Sequence, residues 1–179
     1  RVSLSSTGFY KTPEIHWDPD KRKGRPFYYF VYGAAVSEII LDTLTGESRV
    51  VCVDILHDVG RSINPAIDKG QIEGGFVQGL GWLSMEELVY ANNGTLMTHS
   101  PATYKIPTCS DVPNNWNIAF YEGQGNLAET INRSKAVGEP PFMLAISVFF
   151  AYSHALSCLQ VKYPNLDSPA TAERLYFAQ

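Results

Sequence analysis

The chain has 179 residues, of which 45% are hydrophobic, 12% aromatic and only 18% charged; this is the composition of a packed globule and excludes wholesale disorder. Its 14 basic and 18 acidic residues leave a net charge of −4, which excludes the clustered cationic excess that nucleic-acid binding leans on. Cys52, Cys109 and Cys158 are too few and too scattered for a disulfide framework or a zinc site, and they suit a reducing, cytoplasmic setting.

The amino end, Arg1-Val2-Ser3-Leu4, has neither an initiator Met nor a charged-then-apolar leader, so the sequence is expected to be an internal piece of a longer chain. Residues 14–25 mix basic and acidic side chains and are expected as a solvated loop. Phe27 to Asp42 is apolar on both faces, which predicts a long buried strand. Leu44-Thr45-Gly46-Glu47 predicts a turn, and Arg49 to Asp58 a returning strand.

Asn64-Pro65 is a helix start, a capping amide followed by Pro in the first turn. From Pro65 to Met85, the residues Ile72, Phe76, Leu80 and Leu83 recur at helical spacing. Five glycines interrupt this stripe, Gly70, Gly74, Gly75, Gly79 and Gly81, at a cost of about 1 kcal/mol each against Ala. Such a sacrifice implies that another backbone or a bulky ligand lies close. A second hairpin is expected around Asn93-Gly94, one more strand at Trp116 to Tyr121, and a polar loop at 122–133. Glu139 and Lys162 bracket 22 residues with no formal charge. Two opening prolines, three serines, His154 and the lack of interfacial anchors favour a fully buried core helix over a membrane span. Hairpins and two long buried helices without strict strand–helix alternation give an α+β class.

No phosphate-binding loop or nucleophile elbow is present. His57-Asp58 reads as a satisfied pair at a strand end. Two places remain. Glu139, in Gly138-Glu139-Pro140-Pro141, precedes the apolar helix, where burial and the positive helix end would act on it in opposite directions, a setting suited to a general base. Gln71, Gly75 and Gln78 share a helix face, two amides beside a glycine, suited either to a planar polar ligand or to backbone partners. A hydrolase pairing Glu139 with Asp58 or Glu73 is a weaker reading.

These places lie within longer blocks: Ser6-Thr7-Gly8-Phe9-Tyr10, Tyr32 to Glu38, Asp58 to Ala66, Gly70 to Gly79, Thr103-Tyr104-Lys105-Ile106-Pro107 and Ser134 to Pro141. Together they resemble the molybdenum-cofactor-binding subunit of the xanthine dehydrogenase/aldehyde oxidase family, its bacterial members most closely. The resemblance implies that residues 1–179 are the carboxy-terminal portion of a molybdenum-cofactor-binding domain, with 14–25 and 122–133 as loops. It implies an oxidoreductase that takes hypoxanthine or xanthine to urate with water as the oxygen source, Glu139 as the catalytic base and Gln71 against the pterin of the molybdopterin cofactor. It also implies partners: a purine substrate, the remainder of the molybdenum subunit, and iron–sulfur and FAD-bearing domains or subunits elsewhere in the assembly. Neither nucleic acid nor a membrane belongs to that picture. The family's purine-clamping residues and its other cofactor loops are missing from these 179 residues, which are therefore not expected to turn over substrate alone. Another aldehyde or heterocycle hydroxylase of the family, or a non-catalytic module that kept the fold, are the alternatives.

Overall fold

A computed structural model describes residues 2–159 and 163–179. Arg1 and the far end of the apolar run, Gln160 and Val161 with Lys162, lie outside the described residues. The described secondary structure is β1 (His16–Asp18), β2 (Lys23–Arg25), β3 (Gly33–Leu41), β4 (Ser48–His57), α1 (Pro65–Ser84), β5 (Asn115–Phe120), α2 (Ile146–Ser157) and α3 (Ala172–Phe177), with 3-10 turns at Ile131–Arg133 and Pro140–Ala145. The α+β expectation holds in its main outline, mixed strands and helices around one core. One of its parts changes: the stretch expected as a second long buried helix is shorter and only partly buried.

The central sheet has the order β3-β4-β5. β3 and β4 are antiparallel from Gly33↔His57 to Leu41↔Ser48, and a bulge between Glu38 and Ile39 leaves Val51 without a partner. β5 joins β4 in parallel, from Cys52↔Asn115 to His57↔Phe120. That pairing needs a long crossover, and α1 with the irregular segment after it provides one. The turn at 42–47 forms as expected; Gly46 sits at φ +75 with no room for a side chain against α3, where a Cβ would meet the Ala172 carbonyl.

Both main helices cover the same face of the sheet. Val53 and Ile55 point toward them from β4, with Trp116 and Ile118 from β5, and they meet Ile72, Phe76 and Leu80 of α1 and Val148, Tyr152 and Leu156 of α2. Phe76 meets Trp116 edge to face at 5.4 Å. Asn64 caps α1, its side-chain oxygen accepting from the Ala66 and Ile67 amides at 3.2 and 3.4 Å. The predicted stripe of Ile72, Phe76, Leu80 and Leu83 is buried along its whole length.

Several expectations are corrected. The strand expected from Phe27 starts only at Gly33, because residues 28–32 form a clasp around Lys135, described below. β3 is also not buried on both faces: its exposure alternates, and Val36 and Ile40 face outward. Residues 14–25 hold the small β1–β2 ladder rather than a plain loop. The Asn93-Gly94 hairpin reduces to a turn with one bridge, Tyr90↔Leu96. The apolar run opens as a 3-10 helix and becomes α-helical only at Ile146. By length and composition Pro140–Ser157 is apolar enough to cross a membrane. It is a core helix on one side only, burying Val148, Tyr152 and Leu156 while Phe150 is 60% exposed.

Candidate active-site wall

The strap from Ser134 to Pro140 runs from the end of the sheet to α1 and carries Glu139. At its start Ser134 bridges Gly60, which has φ +64 and would place a Cβ 2.5 Å from the Arg133 carbonyl, so only glycine fits there. Asn126, nearly fully buried, donates to the Ser134 carbonyl and to Thr130 Oγ1, both at 3.2 Å. The loop 122–133 is thereby folded around one amide.

Lys135 anchors the next step. Its backbone amide donates to Val59 O at 2.9 Å. Its ammonium donates to Asp58 Oδ2 at 2.5 Å and to Phe30 O at 3.0 Å and lies 5.3 Å from the centre of the Tyr32 ring. The Ala136 amide donates to the Tyr29 hydroxyl at 2.9 Å. The paired side chains of Lys135 and Asp58 are only 9% and 13% exposed. The aromatic stretch before β3 thus gives the Phe30 carbonyl and the Tyr32 ring to the Lys135 ammonium and the Tyr29 hydroxyl to the Ala136 amide, instead of extending the sheet.

At its other end the strap lies on α1. A Cβ on Gly75 would sit 2.8 Å from the Gly138 carbonyl, and one on Gly79 would strike the Phe142 carbonyl and stand 2.8 Å from Ala145 Cβ. Gly81 is crowded by Glu86 and Pro107. Three of the five helix glycines thus answer to this chain's own packing and not to a ligand, which narrows the sequence reading. Gly70 and Gly74 are different: nothing lies within 4 Å of a Cβ at either. They open the outward face of α1, where Gln71 and Gln78 are exposed.

Gln71 and Glu139 arrive at the same edge. Gln71 Oε1 is 3.0 Å from where a Gly138 Cβ would be, so the amide lies against the residue next to Glu139. Glu139 is exposed and precedes a 3-10 turn, to which its side chain gives no capping bond. The dry setting at an α-helix end expected for it is not formed by these residues. The pairing of Glu139 with Asp58 is disfavoured as well, because Asp58 is held by Lys135 and by the Gly60 amide at 2.9 Å. A separate cleft of about 740 Å3 lies between Tyr32, Leu56, Tyr121 and Leu127, and neither Gln71 nor Glu139 lines it.

His57 is also corrected. It points into the core, on the opposite side of β4 from Leu56 and Asp58, and is 1% exposed. Neither ring nitrogen has a hydrogen-bond partner among the described residues. Burial lowers its pKa, and the nearby Asp58 charge opposes this only in part. Sequence reasoning gave no role to Lys135 or Asn126, and offered Asp58 only as a partner of His57 or of Glu139. The one available signal was Lys135, a cation four residues before Glu139 beside a long uncharged run.

The bare Gly70–Gly74 face of α1, the exposed Gln71 amide and the Glu139 carboxylate carried by the strap are thus neighbours on one edge of the fold. The chain belongs to the molybdopterin cofactor-binding domain family, whose family model matches residues 1–113; Gln71 falls inside the matched part and Glu139 beyond it. Among curated proteins it is 48% identical, over 190 residues, to a xanthine dehydrogenase of Oryza sativa subsp. japonica, an alignment covering 99% of this chain and 14% of that protein. It is 47% identical over 182 residues to a xanthine dehydrogenase/oxidase of Felis catus, covering 97% and 14%. Among solved structures, quinoline 2-oxidoreductase from Pseudomonas putida 86 matches with a TM-score of 0.70 and 31% identity, over 79% of this chain and 18% of its own. The chain spans about 14% of the length of the curated relatives it matches.

Proposed function

We propose that the chain is the carboxy-terminal portion of a molybdenum hydroxylase of the xanthine dehydrogenase type, contributing the catalytic base and one wall of the cofactor site. The observation that carries this is the meeting of Gln71, the open Gly70–Gly74 face and Glu139 at one edge. The residues fit the molybdopterin cofactor. Two glycines leave room for a planar group to approach the helix backbone, and the Gln71 and Gln78 amides offer both donors and acceptors to it. The bound cofactor supplies an acceptor for the electron pair released when a substrate C–H gives way to hydroxyl from water.

The chain's own part is then a proton. Glu139, ionised, takes it at its carboxylate as the oxygen nucleophile attacks the electron-poor carbon, help worth about 10²- to 10⁴-fold in rate. A base exposed in isolation is weak. The pocket that dries and orients it is completed by the remainder of the longer protein, with the iron–sulfur and FAD groups farther along the electron path. A purine, hypoxanthine or xanthine going to urate, is favoured over other heterocycles by the 48% identity to xanthine dehydrogenase against 31% to the quinoline enzyme.

The test is urate formation from xanthine by the complete protein, native against Glu139→Gln at matched molybdenum content. The expected loss is at least about 10²-fold. Native rates in the variant would refute Glu139 as the base. No urate from the native protein would move the substrate to another heterocycle or an aldehyde.

A further inference from the structure

We propose that the largely buried Asp58–Lys135 ion pair is the positioning device that sets where Glu139 stands; the inference rests on Glu139 being the base. Residues 134–139 belong to neither helix nor sheet ladder, apart from the single Gly60–Ser134 bridge. Ser134 is tied to its own loop by Asn126 and Thr130, and the contacts that tie the strap to the rest of the fold gather at Lys135 and Ala136: the Val59 carbonyl, Asp58, the Phe30 carbonyl and the Tyr29 hydroxyl. Farther along, the Glu139 carbonyl accepts from the Phe142 amide at 3.0 Å, and the strap packs with the Gly138 carbonyl against Gly75 and Phe142 and Ala145 against Gly79. Glu139 itself gives no capping bond. Its carboxylate is therefore located by the rail on which it rides, and one end of that rail is an ion pair.

Chemistry makes that end sensitive. Four residues span at most about 14 Å of chain, so a shift at Lys135 reaches Glu139 with little slack to absorb it. A misplacement of about 1 Å in a reacting group costs on the order of 10²-fold in rate. A buried ion pair contributes little net stability compared with apolar residues of similar size, whereas its directional bonds fix one arrangement. This separates positioning from support. A neutral replacement of both partners that keeps an acceptor at 58 for the Gly60 amide preserves the fold and loosens the rail.

The experiment uses the complete, molybdenum-loaded protein with xanthine and compares Asp58→Asn/Lys135→Met, Lys135→Arg and Glu139→Gln with the native protein; the Asn oxygen still accepts from the Gly60 amide. Removing one partner alone would strand a buried charge, so the double variant is the informative one. It is expected to keep its molybdenum content, melting midpoint and KM while kcat falls about 10- to 100-fold. Lys135→Arg, which keeps the charge facing Asp58, is expected to recover most of that loss. Native kcat in the double variant overturns the proposal. So does a loss of kcat that runs in step with lost molybdenum or lost thermal stability, because the pair then supports the fold in general. Glu139→Gln separates the two claims. If it is inactive while the double variant is fully active, only positioning fails. If it turns over at the native rate, the base assignment fails and takes this inference with it.

Discussion

A methyl group added at Gly79 and one added at Gly74 should have opposite effects, though both lie on α1. In each case Gly→Ala recovers about 1 kcal/mol of intrinsic helix stability. At Gly74 nothing lies within 4 Å of the new Cβ, so the gain stands and the variant is expected to be more stable by about that amount. At Gly79 the new Cβ meets the Phe142 carbonyl and stands 2.8 Å from Ala145 Cβ and 3.1 Å from the Phe142 carbonyl carbon. Backbone cannot rotate away as a side chain can, so either the 3-10 segment Pro140–Ala145 or the helix must move. Overpacking of this kind costs about 1–3 kcal/mol, which cancels or exceeds the helix gain. The expected gap between the two variants is therefore about 1–3 kcal/mol, with Gly79→Ala the weaker. Hydrogen exchange at the α1 amides of the intact protein reads this locally, and the melting midpoint reads it globally. The functional readouts should cross over: Gly79→Ala moves the segment that follows Glu139 and lowers kcat, whereas Gly74→Ala intrudes on the open face and lowers molybdopterin retention. Equal stabilisation by the two substitutions would refute the reasoning that the strap lies directly on the helix.

His57→Met is expected to raise stability by about 1–3 kcal/mol, because it removes two buried nitrogens that have no partner and keeps the volume apolar. The folded-state pKa of His57 lies below the unfolded value. On acidification the unfolded chain therefore binds a proton first, and native stability falls as pH drops below about 6.5 and down to the lower folded pKa; titrating melting midpoints for native and variant should show that component disappear in His57→Met. Asn126→Ala is expected to cost about 1–3 kcal/mol and to raise hydrogen exchange at Ala128 and at Arg133 to Lys135, since it removes one of two donors to the Ser134 carbonyl and the acceptor of the Ala128 amide; unchanged exchange at 133–135 would mean that Thr130 alone holds the Ser134 carbonyl.

What could be read from the sequence depended on whether the signal was local. Helix α1 was legible because cap, proline and apolar spacing are all encoded within twenty-odd residues. The β3–β4 hairpin was legible for the same reason, with Gly46 marking its turn. The parallel pairing of β5 with β4 was not, since nothing near Trp116 records a partner sixty residues earlier. Phe27 to Tyr32 misled for a related reason. Aromatic and β-branched residues suit a strand equally well when their real task is to enclose a distant ammonium. The glycines were legible as a group with a common cause, but their separation into strap contacts and open positions depends on where residues 138–145 run. Glu139 and Gln71 stood out by their local pattern and took their roles from the resemblance, and the residues that hold Glu139 in place did not stand out, because an Asp and a Lys 77 positions apart carry no spacing signature.

The placement of the site follows from the same geometry. A helix that must pack closely on its own chain along one side and stay bare along another cannot use ordinary side chains on either. Gly75 and Gly79 bring the strap near enough for Glu139 to share an edge with Gln71, and Gly70 and Gly74 leave that edge open, which is where the proposed function puts the cofactor. The helix gives up roughly 5 kcal/mol of intrinsic propensity across its five glycines, and burial of Ile72, Phe76, Leu80 and Leu83 on the remaining side offsets it at about 1.5–3 kcal/mol for each large apolar side chain. Stability is thus concentrated on the face toward the sheet, and the opposite face is free to be shaped by chemistry. A base carried on a strap, instead of on the helix itself, can be set by the Asp58–Lys135 anchor without disturbing the helix that holds the amides. The two halves of the site then have separate supports, and substitutions at one should leave the other's readout in place.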